Sequence, residues 1–242
     1  EQSLRDACSR VRTLLIEHNS YLSGGLRWPF PGPDSMLGQR GLAIYRFPGH
    51  GGVDVTADGD AARIAFAAGE LGAVTSSGFF IPTLVRGDFE VSTKYQLEQW
   101  DPLGHAACLG LFAQDQGSLV RYYAQHRSTT TTDHHVMASL CGQLFDEVPI
   151  GQKSGELRLT RSGSTVRAWY RTGPTSEWQI LGEHPSDPER DMILGAKIWC
   201  GGRCDGLVAS LTELRIAAEI PVDQIPLPPT REDPRSSSAN GS

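Results

Sequence analysis

Gly155-Glu156-Leu157-Arg158-Leu159-Thr160-Arg161-Ser162-Gly163-Ser164-Thr165-Val166-Arg167-Ala168-Trp169-Tyr170-Arg171 is the stretch that decides the fold class. Leu157 and Leu159 alternate with charged or polar residues, and Val166 and Ala168 alternate with Arg167 and Trp169. A period of two marks a half-buried strand, because successive side chains leave opposite faces. Ser162-Gly163-Ser164 interrupts the alternation with a hairpin-sized turn. The segment by itself therefore predicts two antiparallel strands, 155–161 and 165–171.

Working outward, turn-bounded runs predict further strands at Leu42–Phe47, Ala62–Ala67, Phe79–Leu84, Asp88–Gln99, His105–Gln114 and Leu119–Arg127. Others follow at His135–Leu144, Trp178–Glu183, Met192–Cys200 and Leu207–Ala217. Many short strands with close turns predict an all-β fold, an antiparallel two-sheet jelly-roll-like sandwich. The 27 glycines and 15 prolines agree with so many turns.

The ends read differently. From Ser3 to Asn19 the residues Leu4, Ala7, Cys8, Val11, Leu14 and Leu15 recur at three and four, which predicts an N-terminal α-helix. Ser23–Gly38 is rich in glycine and proline and reads as loop, with Trp28 and Phe30 pinning it to the body. Beyond Glu219 prolines and then serines dominate, a composition that cannot pack a core. The expected division is 1–41 helix and loop packed on the body, 42–219 sandwich, 220–242 disordered tail. A start at Glu1 reads as a mature or excised form whose targeting segment is gone.

At 242 residues the chain is long enough for one large β domain. A net charge of −6 argues against a general nucleic-acid partner. No apolar run reaches the roughly 18 residues that a membrane span requires. Five cysteines are too few for a disulfide scaffold, and the odd number leaves at least one thiol unpaired within the chain.

Three segments together carry a resemblance: Arg86-Gly87-Asp88-Phe89-Glu90-Val91, the hairpin Gly155–Ser164 that runs into Val166–Arg171, and Leu211-Thr212-Glu213-Leu214-Arg215-Ile216. They resemble the strand opening, hairpin and closing strand of concanavalin A-like lectin/glucanase and laminin-G-like sandwiches. Arg63-Ile64-Ala65-Phe66, followed by the Arg86–Val91 segment, is similar to a planctomycete C-terminal domain family of unknown function. The resemblance covers roughly Asp58 to Glu219 and implies a concanavalin A-like fold. That fold hosts enzymes, lectins and adhesion modules alike, so function must come from a site.

Glycosidases of this fold take two carboxylates from alternate positions of one strand, and no such run occurs. Glu90 and Glu98 share a predicted strand face but lie eight positions apart, roughly 26 Å at about 3.3 Å per residue. Asp133-His134-His135 would need a bulge to aim both imidazoles at one metal ion, so no metal is expected. No serine-nucleophile elbow or phosphate loop is present, and no cofactor is implied. Cys200-Gly-Gly-Arg-Cys204 reads either as a loop disulfide of an oxidising, extracellular or periplasmic compartment or as two small residues in a turn. Cys108 and Cys141 read as lone thiols in packed surroundings.

Alternation places Arg121, Tyr123, Gln125 and Arg127 on one strand face, Arg167, Trp169 and Arg171 on another, and Lys197 with Trp199 on a third. Their neighbours Val166, Ala168, Leu194, Ala196 and Ile198 are the expected core set. Aromatic plates beside planar hydrogen-bonding groups suit sugar rings, and the cationic bias suits an anionic glycan. The same pattern also fits ordinary solvent-facing side chains, with arginine stems lying over exposed rings. The expected function is a non-catalytic recognition module for carbohydrate, with Arg121, Tyr123, Gln125, Arg167, Trp169, Lys197 and Trp199 as the binding set. The alternatives are a protein-interaction or assembly domain of a larger polypeptide, and a glycoside hydrolase with an atypical site.

Overall fold

The computed structural model describes residues 21–26, 42–46, 53–58, 61–70, 75–80, 83–115 and 120–224. Eighteen strands occur among them, beginning with β1 (Tyr21–Leu26), β2 (Leu42–Arg46), β3 (Val53–Asp58), β4 (Ala61–Phe66), β5 (Gly69–Glu70) and β6 (Thr75–Phe80). Next come β7 (Thr83–Trp100), β8 (Ala107–Asp115), β9 (Arg121–Ser128), β10 (His134–Leu140), β11 (Gln143–Leu144) and β12 (Val148–Pro149). The last are β13 (Ser154–Ser162), β14 (Thr165–Arg171), β15 (Gln179–Pro185), β16 (Met192–Cys200), β17 (Arg203–Cys204) and β18 (Leu207–Gln224).

All pairings are antiparallel; apart from the short β5–β17 pair, they fall into two layers. The first sheet runs β1-β2-β6-β16-β8-β9-β10, with β11 and β12 added to β10. The second runs β3-β4-β18-β7-β13-β14-β15, and the pair Met192–Val85 joins the two at one corner. Inward faces supply one core: Leu109, Leu111, Tyr122, Ala124, Val136, Leu194 and Ile198 from the first sheet, Val91, Leu97, Leu157, Leu159, Val166, Ala168 and Ile64 from the second. The expected inward set Val166, Ala168, Leu194, Ala196 and Ile198 is fully buried.

The helix expected over 3–19, the Trp28–Phe30 stretch and the chain beyond Gln224 lie outside the described residues. Two boundaries differ from expectation. The segment from Ser23, read as loop, belongs to β1 through Leu26, and β18 continues to Gln224 against β7, past the expected end at Glu219. Thr75–Phe80 was hidden by its turn-like Ser76-Ser77-Gly78, yet it is a paired strand between β2 and β16. Its glycine has a packing reason: a Cβ on Gly78 would lie 2.1 Å from the Ala196 carbonyl oxygen.

The segments that carry the resemblance meet in space. Gly163 opens the β13–β14 turn with φ +55°, the positive φ that the first position of a two-residue II′ hairpin requires. Its N–H donates to Asp88 Oδ1 at 2.6 Å. Beside it Arg161, 1% exposed, donates Nε to the Gly87 carbonyl at 2.5 Å and Nη1 to the carbonyls of Asp187 and Arg190 at 3.3 and 3.1 Å. The Gly87-Asp88 pair and the Arg161–Gly163 turn are thus two halves of one corner. Arg86 holds the same loop through a two-pronged contact with Asp191, at 2.9 and 3.0 Å.

A polar chain crosses the interior between the sheets. Tyr95 Oη lies 3.0 Å from His126 Nδ1, His126 Nε2 lies 2.9 Å from His134 Nδ1, and His134 Nε2 lies 3.0 Å from the Thr131 carbonyl. A carbonyl only accepts, so His134 carries its proton on Nε2 and accepts on Nδ1. His126 then donates from Nε2 and accepts on Nδ1, and the Tyr95 hydroxyl donates. Both rings are neutral in this arrangement. Burial and the neighbouring imidazoles bring His126 down to about 3. Burial also lowers His134 and raises Tyr95.

Candidate functional site

The outward face of the first sheet is built in rows by cross-strand register; Ile193, Gln114 and Arg121 form one at its edge, and three more follow. Phe80, Gly195, Phe112, Tyr123, Ser139 and Leu144 form the first. Gly78, Lys197, Gly110, Gln125 and Met137 form the second, and Ser76, Trp199, Cys108, Arg127 and His135 the third. Rows are roughly 7 Å apart and strands roughly 4.8 Å apart. The Phe112 ring lies over Gly195, where a Cβ would come within 2.6 Å of Cζ.

Lys197 stands between two glycines in its row and leans toward the first row. Its Nζ donates to Tyr123 Oη at 3.2 Å and lies 4.5 Å from that ring's centroid. Among the described residues Arg121, Lys153, Arg161, Lys197 and Arg203 have no carboxylate within ion-pair distance, and of these Lys197 and Arg121 stand on this face. Arg121 also keeps a buried, unpartnered Nε. Arg127 in the third row is paired with Glu147, and His135 Nδ1 lies 3.4 Å from Asp133 Oδ1 and 3.8 Å from Glu147 Oε2.

The structure divides the expected binding set. Arg121, Tyr123, Gln125, Lys197 and Trp199 share the face just described, although Gln125 is only 6% exposed. Arg167 and Trp169 belong to β14 and point outward from the second sheet, on the opposite side of the sandwich. The expected set therefore does not form one binding surface but falls on two separate faces. Parity within each strand was legible, but the sheet to which each strand belongs was not. On the second face Arg167 pairs with Glu183 at 3.1 Å, and Trp169 Nε1 donates to Thr160 Oγ1 at 3.1 Å. Sequence reading missed Phe112, Leu144 and His135 on the first face, and Arg158 and Trp178 on the second. Register brings the first four beside the expected residues, and Trp178 reaches Arg158 and Arg171 from the loop before β15.

Glu90 and Glu98 each meet a cation, Arg158 at 3.9 Å and Arg63 at 3.1 Å. Hydrogen bonds from Ser210 and Arg63 hold the Glu98 carboxyl below its usual range, the opposite of what a general acid needs. Among the described residues no group of three His, Cys, Asp or Glu side chains is placed to hold a metal ion. No described helix is long and apolar enough to cross a membrane. Cys200 and Cys204 are buried free thiols rather than a loop disulfide, their sulfurs donating to the Gly202 and Ala67 carbonyls at 3.7 Å. Cys141 is exposed, not packed as expected, because it occupies the β10–β11 turn with φ +54°. A thiol-reactive dye under native conditions is expected to label Cys141 while Cys108, Cys200 and Cys204 react only on unfolding. The Cys141→Ser variant should lose one fast-reacting equivalent, and unchanged fast labelling would contradict the placement.

Layering, register and inward packing make the fold an antiparallel two-sheet β-sandwich of the concanavalin A-like kind. In line with that, the chain is similar to a functionally unknown protein from Saccharomyces cerevisiae, at 15% identity and TM-score 0.53 over 71% of this chain and 95% of that one. It is also similar to the Emp47p carbohydrate recognition domain, at 9% identity and TM-score 0.50 over 84% and 96% of the two chains. At these identities the likeness is one of fold. No protein-family model and no curated protein matches the chain.

Proposed function

We propose that the protein is a non-catalytic recognition module that binds carbohydrate on the outward face of its first sheet. The observation that carries this reading is the pair of cations without carboxylate partners, Arg121 and Lys197, beside the outward ring of Tyr123. A ligand bearing carboxylate or sulfate groups would supply the missing charge, so the glycan is an acidic one. Tyr123 and Trp199 are the stacking rings, two strands and two rows apart, roughly 17 Å by lattice spacing. That separation suits a short oligosaccharide laid diagonally over Gly110. The Arg63–Phe66 and Arg86–Val91 segments support placing the chain with the planctomycete domain family that they resemble.

The test is a glycan array holding neutral, uronic-acid and sulfated oligosaccharides, followed by calorimetry on the hits. Loss of one stacking ring, Tyr123→Ala or Trp199→Ala, is expected to cost about 1–3 kcal/mol of binding. Arg121→Ala with Lys197→Ala should abolish preference for acidic glycans and flatten the salt dependence. An array without hits, or hits indifferent to all four changes, would overturn the reading. A protein partner is the second reading, favoured by Leu144, 69% exposed at the end of the Tyr123 row. A self-associating chain whose assembly is broken by Leu144→Lys would promote it.

A further inference from the structure

Seven buried side-chain polar atoms among the described residues lack a hydrogen-bond partner, and three of them cluster on the second sheet. These are Glu156 Oε1, Arg158 Nε and Arg171 Nε. Glu156 stands opposite Arg171 and Arg158 opposite Trp169 where β13 pairs with β14. Alternation turns all four outward, away from Leu157, Leu159, Ala168 and Tyr170.

Glu156 is only 8% exposed, yet just one of its oxygens is bonded, Oε2 to Arg171 Nη2 at 2.6 Å. The Arg158 guanidinium lies 5.0 Å from the Trp169 ring centroid and 4.2 Å from that of Trp178, and Arg171 lies 4.7 Å from Trp178. The two indoles are held differently. Trp169 is pinned by its bond to Thr160, whereas Trp178, between β14 and β15, has no side-chain hydrogen bond among the described residues. Only its ring face holds it, so a competing ring-shaped ligand can displace or share that contact.

Buried polar groups left unpaired call for a partner. Here the open valences are two donors, both arginine Nε–H, and one acceptor, Glu156 Oε1. A hydroxyl has the complementary set, one donor and two acceptor lone pairs. A carboxylate or sulfate can only accept and would meet Glu156 with like charge. We infer that Glu156, Arg158, Arg171 and Trp178 form a second ligand site, on the opposite face from Tyr123 and Lys197, for the hydroxyl groups of a neutral sugar. This rests on the carbohydrate reading proposed above. It makes the domain bivalent, with an acidic-glycan face and a neutral-glycan face.

The array is followed by calorimetry with a neutral oligosaccharide hit and an oligouronate, on the full chain and two sets of variants. Neutral binding is expected to weaken at least tenfold in Trp178→Ala and in Glu156→Gln, to recover in Trp178→Phe, and to persist in Tyr123→Ala with Trp199→Ala. Oligouronate binding should show the reverse dependence, and unchanged thermal melting of Trp178→Ala excludes a folding defect. Neutral binding that is untouched by Trp178→Ala but lost with Tyr123 and Trp199 overturns the second site and leaves the first face intact. A crystal grown with the neutral oligosaccharide that holds water alone at Glu156 Oε1 overturns it as well. An array without hits removes both proposals together.

Discussion

Replacing Arg161 by alanine is expected to lower the unfolding free energy by about 3–5 kcal/mol, the sum expected when three buried backbone carbonyls lose a charged donor and a cavity opens beside them. The side chain is 1% exposed and bonds three backbone carbonyls from two segments, Gly87 on one side and Asp187 and Arg190 on the other. Without it those carbonyls face a cavity that water fills poorly. Arg161→Lys should recover only part of the loss, because an ammonium group lacks the planar fork that reaches both segments. Arg167→Ala, an exposed ion pair with Glu183 on the same hairpin, should cost about 0–1 kcal/mol and serves as the control. Urea unfolding monitored by tryptophan fluorescence reads all three, and an Arg161→Ala cost near that of the control would refute the role of the corner.

The second large effect is a loss of stability in acid. His126 has an ordinary value of 6.5 and is brought to about 3 in the folded protein by burial. Between those values the unfolded chain binds the proton and the folded chain does not, so stability falls as pH drops through this window. The slope approaches about 1.4 kcal/mol per pH unit in the middle of the window. His134, also lowered by burial, adds in the same direction. Protonating His134 on Nδ1 sets its N–H against the His126 Nε2–H, and protonating His126 on Nδ1 forces the Tyr95 hydroxyl to turn from donor to acceptor inside the core. Urea midpoints measured from pH 7.5 to 4 should fall steeply in the wild type. His126→Phe should be less stable at pH 7.5, having orphaned Tyr95 Oη and His134 Nδ1, and much flatter with pH. Parallel profiles for the two proteins would sink the assignment.

How far these features were legible in the sequence depends on the range of the interaction that creates them. The β13–β14 hairpin was plain because its alternation and its Ser-Gly-Ser turn lie within one short stretch. β6 was obscured because Ser76-Ser77-Gly78 is turn chemistry locally, and only the close approach of β16 gives Gly78 its place. The candidate face was half legible. Parity grouped Arg121, Tyr123 and Gln125 correctly, and Lys197 with Trp199. Whether β14 lies beside β9 or across the core from it is a question of sheet order, which no local pattern encodes. Trp178 and Arg158 escaped notice for the same reason, since their contact joins a loop to a strand that precedes the hairpin turn.

The placement of β7 has a consequence for how the chain is made. This central strand of the second sheet pairs with β13 on one edge and with β18, the last strand described, on the other. The Thr93 hydroxyl and the Thr212 carbonyl that it bonds lie 119 residues apart. Synthesis proceeds from the N-terminus, so one edge of β7 stays bare until almost the whole domain has left the ribosome. Val91, Tyr95 and Leu97 wait uncovered for that time, beside a row of unpaired backbone groups. Non-local pairing of this kind also folds slowly, in milliseconds to seconds. Yield at high expression is thus governed by the arrival of Leu207–Gln224, and chains cut short before β18 would aggregate through β7 rather than persist as smaller soluble domains.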